Sequence, residues 1–540
     1  MRKIRVLDNV YDLITINMED RFKDNVAFRF YDTANDAVTT ILYKDYVQDI
    51  RKAVNYFQST IPEIKGKKIC LLTKNSYEYA VNTFGVVAAG AVLVLLNQRK
   101  SWDELSYELG LVEPDAILTD GDDYGFNDQL KAAYGDILRP MDGFRSYEPA
   151  QLTRCIDHEA LMVLMFTSGT TGRSKGVMLS EKNFFSVMRA HTQIGEHMMA
   201  YKHEPDLVMS QYTVLPMFHL GAFICLFSWA HAGWALNVSS DIRNFYKEVK
   251  RMPSQAMAVV PVIMNSLHHD VMRGRKDRLG ELWVPICSSA MFDPQVMLDM
   301  AEHGMFVVQT YGSTETCGDG IINYAQDAKH IGAVGQGNDY LDYKIAEDGE
   351  LVVKGPLVCK GYHNNPGVTA QQITDGWLHT GDLGDISEDG FISITGRKKD
   401  LIITAGGKNV SPGLLEASVM TSPVVNQCLV IGDKKPFVAA LVTLDLADAN
   451  NWLESQGAKP EPDLASLAKN AIVHAEVERA VNAANEGVSR AESIRKFEIL
   501  PDEFTEANGM LTPSLKTRRA QIVEHYRELI DDVIYVPLKK

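Results

Sequence analysis

A segment rich in glycine, serine and threonine, which ends in a lysine and a glycine, lies between two apolar runs. Residues 161–166 (LMVLMF) have the length of a buried strand, and a second apolar run covers residues 177–179. Between them, residues 167–176 read TSGTTGRSKG. Glycines let the backbone turn its N–H groups inward as an anion-binding nest. The hydroxyl groups add donors, and Lys175 adds a point charge suited to phosphate. The segment therefore predicts a phosphate-binding loop.

A flexible linker is the alternative interpretation of this composition. The apolar runs on both sides disfavour it, because linkers do not usually interrupt a core. The segment also differs from a Walker A loop, in which glycine directly precedes the lysine and Ser or Thr follows it, between a strand and a helix. Here Ser174 precedes Lys175, Gly176 follows it, and both flanks look like strands.

Four other segments carry polar residues that could bind a nucleotide or a carboxylate. Glu315, in QTYGSTE, offers carboxylate oxygen to a hard cation. Asp382, in WLHTGD, could accept hydrogen bonds from two ribose hydroxyls. His219, in LPMFH, could donate to a carboxylate, and Lys516, in LTPSLKTRR, supplies a cation. Taken singly, each has a structural explanation: a helix cap at Thr314 with Glu315 in the first turn, a Gly-Asp turn, a packed core histidine and a solvated lysine.

The elements that must position these residues alternate between helix and strand in the first half of the chain. Residues 45–57 and 77–89 have apolar positions at helical spacing. Apolar runs at Lys68–Leu72, 91–96 and 115–118 are typical of strands buried on both faces. This alternation predicts an α/β fold with layered, mostly parallel sheets and helices.

The last part of the chain has a different pattern. Residues 382–401 alternate in short segments around Asp389 and Gly390, which predicts an antiparallel hairpin. Two further strands at 424–433 and 437–445 precede helices within residues 463–484. We therefore predict a large N-terminal domain of residues 1–398 and a small α+β domain of residues 399–540.

The composition excludes several classes of protein. The chain has 540 residues, of which 46% are hydrophobic and 23% charged, as expected of a globular protein with more than one domain. The net charge of −16 argues against general nucleic-acid binding. Seven cysteines without a CxxC pair indicate reduced thiols. The N-terminus lacks the apolar core of a signal peptide, and residues 220–238 favour a buried helix and strand over a membrane span. We therefore expect a cytoplasmic protein.

In their order along the chain, these motifs resemble those of the adenylate-forming superfamily, which includes acyl-CoA synthetases, luciferases and peptide-synthetase adenylation domains. FTSGTTGRSKGVMLS resembles the signature loop, and QTYGSTE, WLHTGD, GRKKD, ITAGGKNVSP and LTPSLKTRR resemble the later motifs. The resemblance covers roughly residues 27–540. One departure is Ser174, which stands where the family usually has proline and predicts a less restrained loop.

The resemblance implies a role for each motif. The residues that would bind ATP or AMP are Thr167, Ser168, Gly169, Thr170, Thr171, Gly172, Lys175, Ser289, Tyr311, Gly312, Thr314, Asp382 and Arg397. The catalytic residues would be Lys516, His219 and Glu315, with Mg²⁺ held by Glu315 and Thr170. Lys399 would be the hinge about which the small domain moves. Gly406, Gly407 and Lys408 would line a pantetheine channel, and Met217 and Phe223 an acyl pocket.

The implied reaction is the ATP-dependent activation of a carboxylic acid to acyl-AMP and its transfer to coenzyme A, with Mg²⁺ as cofactor. Segments such as ITAGGKNVSPGLLE and DKKPFVAALVTLD look most like bacterial long-chain fatty acid–CoA ligases, which favours a medium- or long-chain fatty acid. The alternatives are an acyl-AMP ligase that loads a carrier protein, an aryl or short-chain acid–CoA ligase, and a non-catalytic nucleotide- or lipid-binding regulator. We expect only small-molecule partners and no integral membrane segment, and leave transient membrane contact and the oligomeric state open.

Overall fold

The computed structural model describes residues 4–32, 35–154, 156–167, 173–288, 293–338, 340–512 and 516–536. The strands before residue 399 are β1 (Val26–Asp32), β2 (Ala37–Leu42), β3 (Lys68–Leu72), β4 (Val92–Leu95), β5 (Ala116–Thr119), β6 (Leu138–Pro140), β7 (Leu161–Thr167), β8 (Lys175–Ser180), β9 (Ser210–Thr213), β10 (Ala235–Val238), β11 (Ala256–Val259), β12 (Val284–Cys287), β13 (Val308–Ser313), β14 (Gly318–Asn323), β15 (Gln336–Gly337), β16 (Asp342–Ile345), β17 (Glu350–Lys354), β18 (Ile373–Thr374), β19 (Trp377–Ile386) and β20 (Ile392–Arg397). Those after it are β21 (Ile402–Ile403), β22 (Asn409–Val410), β23 (Val425–Ile431), β24 (Val438–Leu444) and β25 (Ile494–Ile499).

The α-helices are α1 (Val10–Asp12), α2 (Tyr43–Thr60), α3 (Tyr77–Ala88), α4 (Trp102–Val112), α5 (Asn127–Tyr134), α6 (Glu181–Lys202), α7 (Leu220–Phe223), α8 (Cys225–Ala232), α9 (Phe245–Arg251), α10 (Pro261–Met272), α11 (Pro294–Glu302), α12 (Pro366–Gln372), α13 (Pro412–Val419), α14 (Leu446–Ser455), α15 (Leu464–Leu467), α16 (Ala471–Glu486), α17 (Arg519–His525) and α18 (Arg527–Leu529). A π-helix covers Leu13–Arg21. Among the described helices, none combines the length and the apolar content needed to cross a membrane.

Two mostly parallel sheets form the framework of the large domain. The first has the strand order β15-β14-β13-β12-β11-β9-β10-β1-β2, and the second β6-β5-β3-β4-β7-β8. Antiparallel pairing is confined to the edges, where β2, β14, β15 and β8 lie. The predicted α/β alternation is confirmed, because the mostly apolar strands β3 and β4 pair in parallel through the crossover helix α3. Ser76 begins that helix by accepting a hydrogen bond from the Tyr79 N–H at 3.1 Å.

The remaining sheets are smaller. An antiparallel sheet of β16, β17, β18, β19 and β20 contains the predicted hairpin, whose two long strands β19 and β20 pair across a turn at Gly390. Beyond residue 400, β23, β24 and β25 form a three-stranded sheet covered on its two faces by separate apolar clusters. Both clusters contain only residues from 402 onward. The small domain therefore has a core of its own.

Candidate active site

The predicted phosphate loop joins two strands of a hairpin. Thr167 at the end of β7 lies opposite Lys175 at the start of β8, so the chain reverses between them. The predicted binding residues Ser168, Gly169, Thr170, Thr171 and Gly172 lie outside the described residues. The Lys175 ammonium lies 5.4 Å from the ring centre of Tyr362, a distance typical of a cation–π contact. Through Tyr362, this contact connects the phosphate loop with the segment that carries Glu315.

Ser174, which was expected to leave the loop less restrained, is tied to the large domain. Its Oγ accepts a hydrogen bond from Lys100 Nζ at 2.9 Å. Lys100 also pairs with Glu108, a carboxylate with 0% side-chain exposure on α4. Beside it, the Arg173 guanidinium lies 4.8 Å from the ring centre of Tyr107, on the same helix. The described end of the loop, at Arg173 and Ser174, is thus held by side-chain contacts where the family usually has the ring of a proline.

Glu315 follows strand β13 in a single 3-10 turn that begins after Ser313. Ser313, and not Thr314, occupies the N-cap position, and its N–H donates to Thr316 Oγ1 at 2.8 Å. The Glu315 carboxylate accepts a hydrogen bond from the Tyr362 hydroxyl at 2.9 Å. Within the described ranges, no three His, Cys, Asp or Glu side chains come together as a preformed metal site. A single carboxylate that shares Mg²⁺ with substrate phosphates is nevertheless a common arrangement, so Glu315 fits that role.

Gly312 is required by packing in the hairpin of β13 and β14. A Cβ built on Gly312 would lie 2.0 Å from the Gly318 carbonyl oxygen, which no side chain can tolerate. The two strands therefore cross more closely here than any other residue would allow. This close approach sets the backbone on which Tyr311 and Thr314 are carried.

Asp382 lies at the centre of a network on the antiparallel sheet. Its Oδ2 accepts a hydrogen bond from the Tyr311 hydroxyl at 2.7 Å, and its Oδ1 lies 2.8 Å from Arg397 Nε. Asp382 and Arg397 face each other across β19 and β20, so the hairpin places them together. Burial and the neighbouring Asp382 carboxylate raise the pKa of Tyr311 well above its usual value. The structure thus brings together three of the predicted nucleotide-binding residues.

Sequence reasoning missed Glu350, which holds the backbone next to Asp382. Buried Glu350 on β17 accepts a hydrogen bond from the Gly381 N–H at 2.7 Å and lies 3.0 Å from His379 Nδ1 and 3.1 Å from Lys398 Nζ. Burial by itself would raise the pKa of Glu350, but these partners outweigh it and the net pKa is lowered. An acidic residue inside the apolar strand ELVVK was the available signal.

Lys516 belongs to the small domain. Its side chain reaches into the cleft that also contains Glu315, Asp382 and Arg397. Its backbone is held by Thr512, whose N–H donates to the Lys516 carbonyl at 2.8 Å and whose Oγ1 accepts from the Lys516 N–H at 3.0 Å. The side chain keeps contact with solvent in the cleft, although protein atoms crowd it. That crowding and the positive charges of Arg397 and Lys399 lower the pKa of Lys516 to about 8, against the opposing effect of the Asp382 and Glu315 carboxylates.

His219 lies on the other side of the cleft, at the N-cap of α7. Burial, together with the positive charges of Lys516, Lys100 and Arg99, lowers its pKa to about 3. The imidazole is therefore neutral, and its buried Nε2 has no hydrogen-bond partner among the described residues. An unpartnered polar atom that faces the charges of a cleft is suited to contact a substrate.

A narrow cavity of ≈ 50 Å³ runs between the first sheet and helices α6, α7 and α8. It is lined by Ile4, His191, Thr192, Ile194, Gly195, Met198, Gln211, Gly221, Cys225, Ser228, Trp229, Ala232, Trp234, Ala258, Ile286, Ser288, Thr310 and Asp319. One end lies near the cleft, since Gly221 is two residues from His219 and the Asp319 carboxylate is influenced by the Lys516 charge. Apolar side chains such as Trp229 and Trp234 also line the cavity.

The two residues expected to line an acyl pocket are not part of this lining. Met217 is fully buried, and so is Phe223, whose ring centre lies 5.8 Å from that of Phe184 and 5.6 Å from that of Phe227. The lining is instead the opposite face of the same segment, where small residues such as Gly221 and Cys225 recur at helical spacing. Small side chains leave the space that Phe223 would have filled.

Comparison with known protein families agrees with this geometry. Residues 18–363 match the family described as AMP-binding enzyme, and residues 399–536 match the family described as AMP-binding enzyme C-terminal domain. The chain belongs to the AMP-binding enzyme family. The resemblance to the adenylate-forming superfamily and the predicted fold class are thereby confirmed.

Several relatives of this AMP-binding enzyme are acid–CoA ligases. It is 28% identical to the long-chain-fatty-acid–CoA ligase FadD15 of Mycobacterium bovis, over 94% of this chain and 97% of that ligase. It is 30% identical to a 2-succinylbenzoate–CoA ligase of Bacillus cereus, over 68% of this chain and 75% of that ligase. The solved structure of O-succinylbenzoate coenzyme A synthetase from Bacillus subtilis with ATP and magnesium has a TM-score of 0.72 at 22% identity, covering 94% of this chain and 98% of that one. These likenesses support an adenylate-forming acid–CoA ligase.

Some of the predicted residues of the AMP-binding enzyme are exposed or lie outside the described residues. Gly406, Gly407 and Lys408 are exposed on the turn between β21 and β22. This turn contacts its own domain, for the Ala405 N–H donates to the Lys435 carbonyl at 2.9 Å and Lys408 pairs with Glu492 at 3.3 Å. Lys399 is exposed between the two domains, and Ser289 lies outside the described residues.

Proposed function

We propose that this chain activates a fatty acid with ATP to acyl-AMP and pyrophosphate and then transfers the acyl group to coenzyme A. The observation that carries the proposal is the convergence of Lys516 with Glu315, Asp382 and Arg397 at the mouth of a cavity that is mostly apolar. A cation, a metal-binding carboxylate and a ribose-binding network around one cleft are what the activation of a carboxylate by ATP requires.

In the first step, a carboxylate oxygen attacks the α-phosphorus of ATP and pyrophosphate leaves. Such reactions depend mainly on positioning and on charge stabilisation. Lys516 would bridge the carboxylate and a phosphate oxygen, and Lys175 would neutralise charge on the leaving group. Bound Mg²⁺ would add charge neutralisation at the phosphates beside Glu315. Asp382 and Arg397 would hold the ribose, with Tyr311 against the adenine.

In the second step, the coenzyme A thiolate attacks the acyl carbonyl and AMP leaves. Lys516 occupies the cleft, whereas the turn at Gly406 and Gly407 lies on the outside of the small domain. We infer that this domain, residues 399–540, turns about Lys399 between the steps and exchanges the lysine for the glycine turn. That exchange would open a channel for the pantetheine thiol.

Two observations favour a fatty acid. A relative that covers nearly the whole chain is named as a long-chain-fatty-acid–CoA ligase. The lining of the cavity includes Ile4, Met198, Trp229 and Trp234, which suit an aliphatic chain. As it stands, the cavity of ≈ 50 Å³ holds no more than a few water molecules, so an acyl chain must widen it.

An aryl acid–CoA ligase is the second candidate, because relatives named as 2-succinylbenzoate–CoA ligases cover 68% of the chain. The test is release of AMP and pyrophosphate from ATP and Mg²⁺ with a panel of aliphatic and aryl acids, with and without coenzyme A. Coenzyme A-dependent turnover that is highest with aliphatic acids supports the proposal, and highest turnover with aryl acids selects the second candidate. Release of pyrophosphate without acyl-CoA would indicate a carrier-protein acceptor.

The same assay tests the assignment of Lys516. Loss of one such charge from the site costs a factor of about a hundred or more in rate. The Lys516→Ala variant should therefore lose acyl-AMP formation while it still binds ATP, because Asp382 and Arg397 remain. Undiminished adenylation by this variant would contradict the role of Lys516, and no turnover of any acid by the unaltered protein would favour a non-catalytic regulator.

A further inference from the structure

The lining of this cavity includes two polar atoms that are buried without partners. Gln211 on β9 is 1% exposed, and its Oε1 has no hydrogen-bond partner among the described residues. His191 on α6 also lines the cavity, and its buried Nε2 is likewise unpartnered in the described part of the chain. A buried polar atom without a partner is destabilising, so a ligand that satisfies both atoms gains affinity.

The position of His191 relates this pair to the reaction centre. Its Nε2 lies 3.9 Å from where a Cβ on Gly318 would be, and Gly318 is three residues beyond Glu315. His191 is thus near the segment that carries Glu315. The same cavity is also lined by apolar side chains, among them Ile194, Met198 and Trp229.

The chemistry of the missing group follows from what each atom can do. The amide of Gln211 offers an acceptor or, if its two ends exchange places, a donor. Neutral His191 is a donor or an acceptor at Nε2 according to its tautomer, and burial holds its pKa at about 4, so it stays neutral at pH 7. A hydroxyl is both donor and acceptor, so it can satisfy both residues in any of these arrangements.

Charge argues against a second carboxylate at this place. Among the described residues that line the cavity there is no lysine or arginine. Asp319 contributes a carboxylate, and although burial raises its pKa to about 6, it is mostly ionised at pH 7. A carboxylate on the acyl group would therefore meet like charge without a cation to offset it.

We propose that the acyl group taken by this cavity carries a neutral hydroxyl that bonds to Gln211 and His191, so that the substrate is a hydroxy acid with an apolar remainder. The inference rests on the proposed acid–CoA ligase function and narrows its substrate class. Gln211 and His191 are then specificity-determining residues, which act on the choice of acid and leave the activation chemistry to the cleft.

The test compares kcat/KM for acyl-CoA formation between straight-chain acids and their monohydroxy derivatives, with the hydroxyl moved along the chain. At least one hydroxy acid should exceed its parent about tenfold or more, since a site built to bond a hydroxyl discriminates strongly against an analogue without one. In Gln211→Met, which keeps the volume and removes the amide, this ratio should fall towards one, chiefly through a gain by the parent acid. His191→Leu should lower the ratio independently.

Gln427→Met is the matched control, because Gln427 is also a buried glutamine with an unpartnered amide oxygen but lies in the small domain. Its ratio should equal that of the unaltered protein. A parent acid that is preferred at every hydroxyl position, or a dicarboxylic acid that is preferred to all, would overturn the inference, and water would then be the partner of the two atoms. If ATP is not cleaved with any acid, the proposed function falls and the inference with it.

Discussion

Replacement of Lys100 by methionine would leave a buried carboxylate without its cation. The Glu108 side chain is 0% exposed and that of Lys100 16%, so solvent contributes little screening to the pair. Removal of one partner from a buried ion pair costs about 3–5 kcal/mol. Burial raises the pKa of Glu108, and the opposing effects of Lys100 and Ser174 hold that rise in check. In Lys100→Met the pKa of Glu108 must therefore rise further.

The sign of the pH dependence follows from linkage. Because the folded pKa of Glu108 lies above the unfolded value, the folded state binds more protons between the two, and its stability falls as pH rises through that interval. The deficit of Lys100→Met should thus be largest at pH 8 and smaller at pH 5, where the carboxyl takes up a proton. Urea unfolding followed by tryptophan fluorescence at both pH values gives the midpoints, with the slope m as a check on the comparison.

A double-mutant cycle provides the control. Lys100→Met combined with Glu108→Leu removes both charges, and such replacements of a buried pair are often close to neutral. The double variant should therefore recover most of the lost stability, with a coupling energy well above about 1 kcal/mol. If Lys100→Met unfolds at the same urea concentration as the unaltered protein at pH 8, the reasoning about this pair is wrong.

Three further outcomes are expected. The kcat/KM of adenylation should fall as pH rises through about 8, where Lys516 of the free enzyme loses its proton. Lys516→Arg should abolish this decrease at alkaline pH, because the guanidinium stays charged. A flat pH profile in the unaltered protein would contradict the assignment of Lys516. Gly221→Leu should raise the KM for the acid but not for ATP, because a Cβ there meets open space at the cavity mouth, whereas Gly110→Leu on the surface of α4 should change neither KM. Gly396→Ala should slow adenylation more than the conversion of added acyl-AMP to acyl-CoA, since its Cβ would lie 2.2 Å from Ser411 Oγ of the small domain and push that domain out of its present position; equal slowing of both half-reactions would argue against this.

The parts of the fold that could be predicted are those in which local pattern and tertiary environment agree. The strand at Lys68–Leu72 was recognisable because its last four residues are all apolar, and these are buried on both faces of the sheet. The hairpin of β19 and β20 was recognisable from its turn residues, and it brings Asp382 and Arg397 together. In both cases the residues that specify the structure lie next to each other in the sequence.

The contacts that could not be predicted join residues far apart in the chain. Lys100 bonds to Ser174 across 74 positions, and Tyr362 reaches Glu315 across 47. Neither contact has a local signature, because a lysine or a tyrosine on a turn looks the same whether it meets a partner or solvent. The direction of Phe223 was missed for a related reason, since two residues of helical rotation are enough to move a side chain from the cavity wall to the core behind it.

The segment of Lys516 and the turn at Gly406 belong to the same small domain, and this bears on the proposed order of the two steps. The turn at Gly406 is anchored between Ile402 and Val410, which pack into the cluster on one face of the small sheet. Leu511, next to the loop of Lys516, packs into the cluster on the other face. Because both clusters share the strands β23 and β24, the lysine and the glycine turn cannot shift relative to each other without unfolding that sheet. We therefore expect that bringing one of them into the cleft removes the other, so that a single rotation both ends adenylation and admits the thiol.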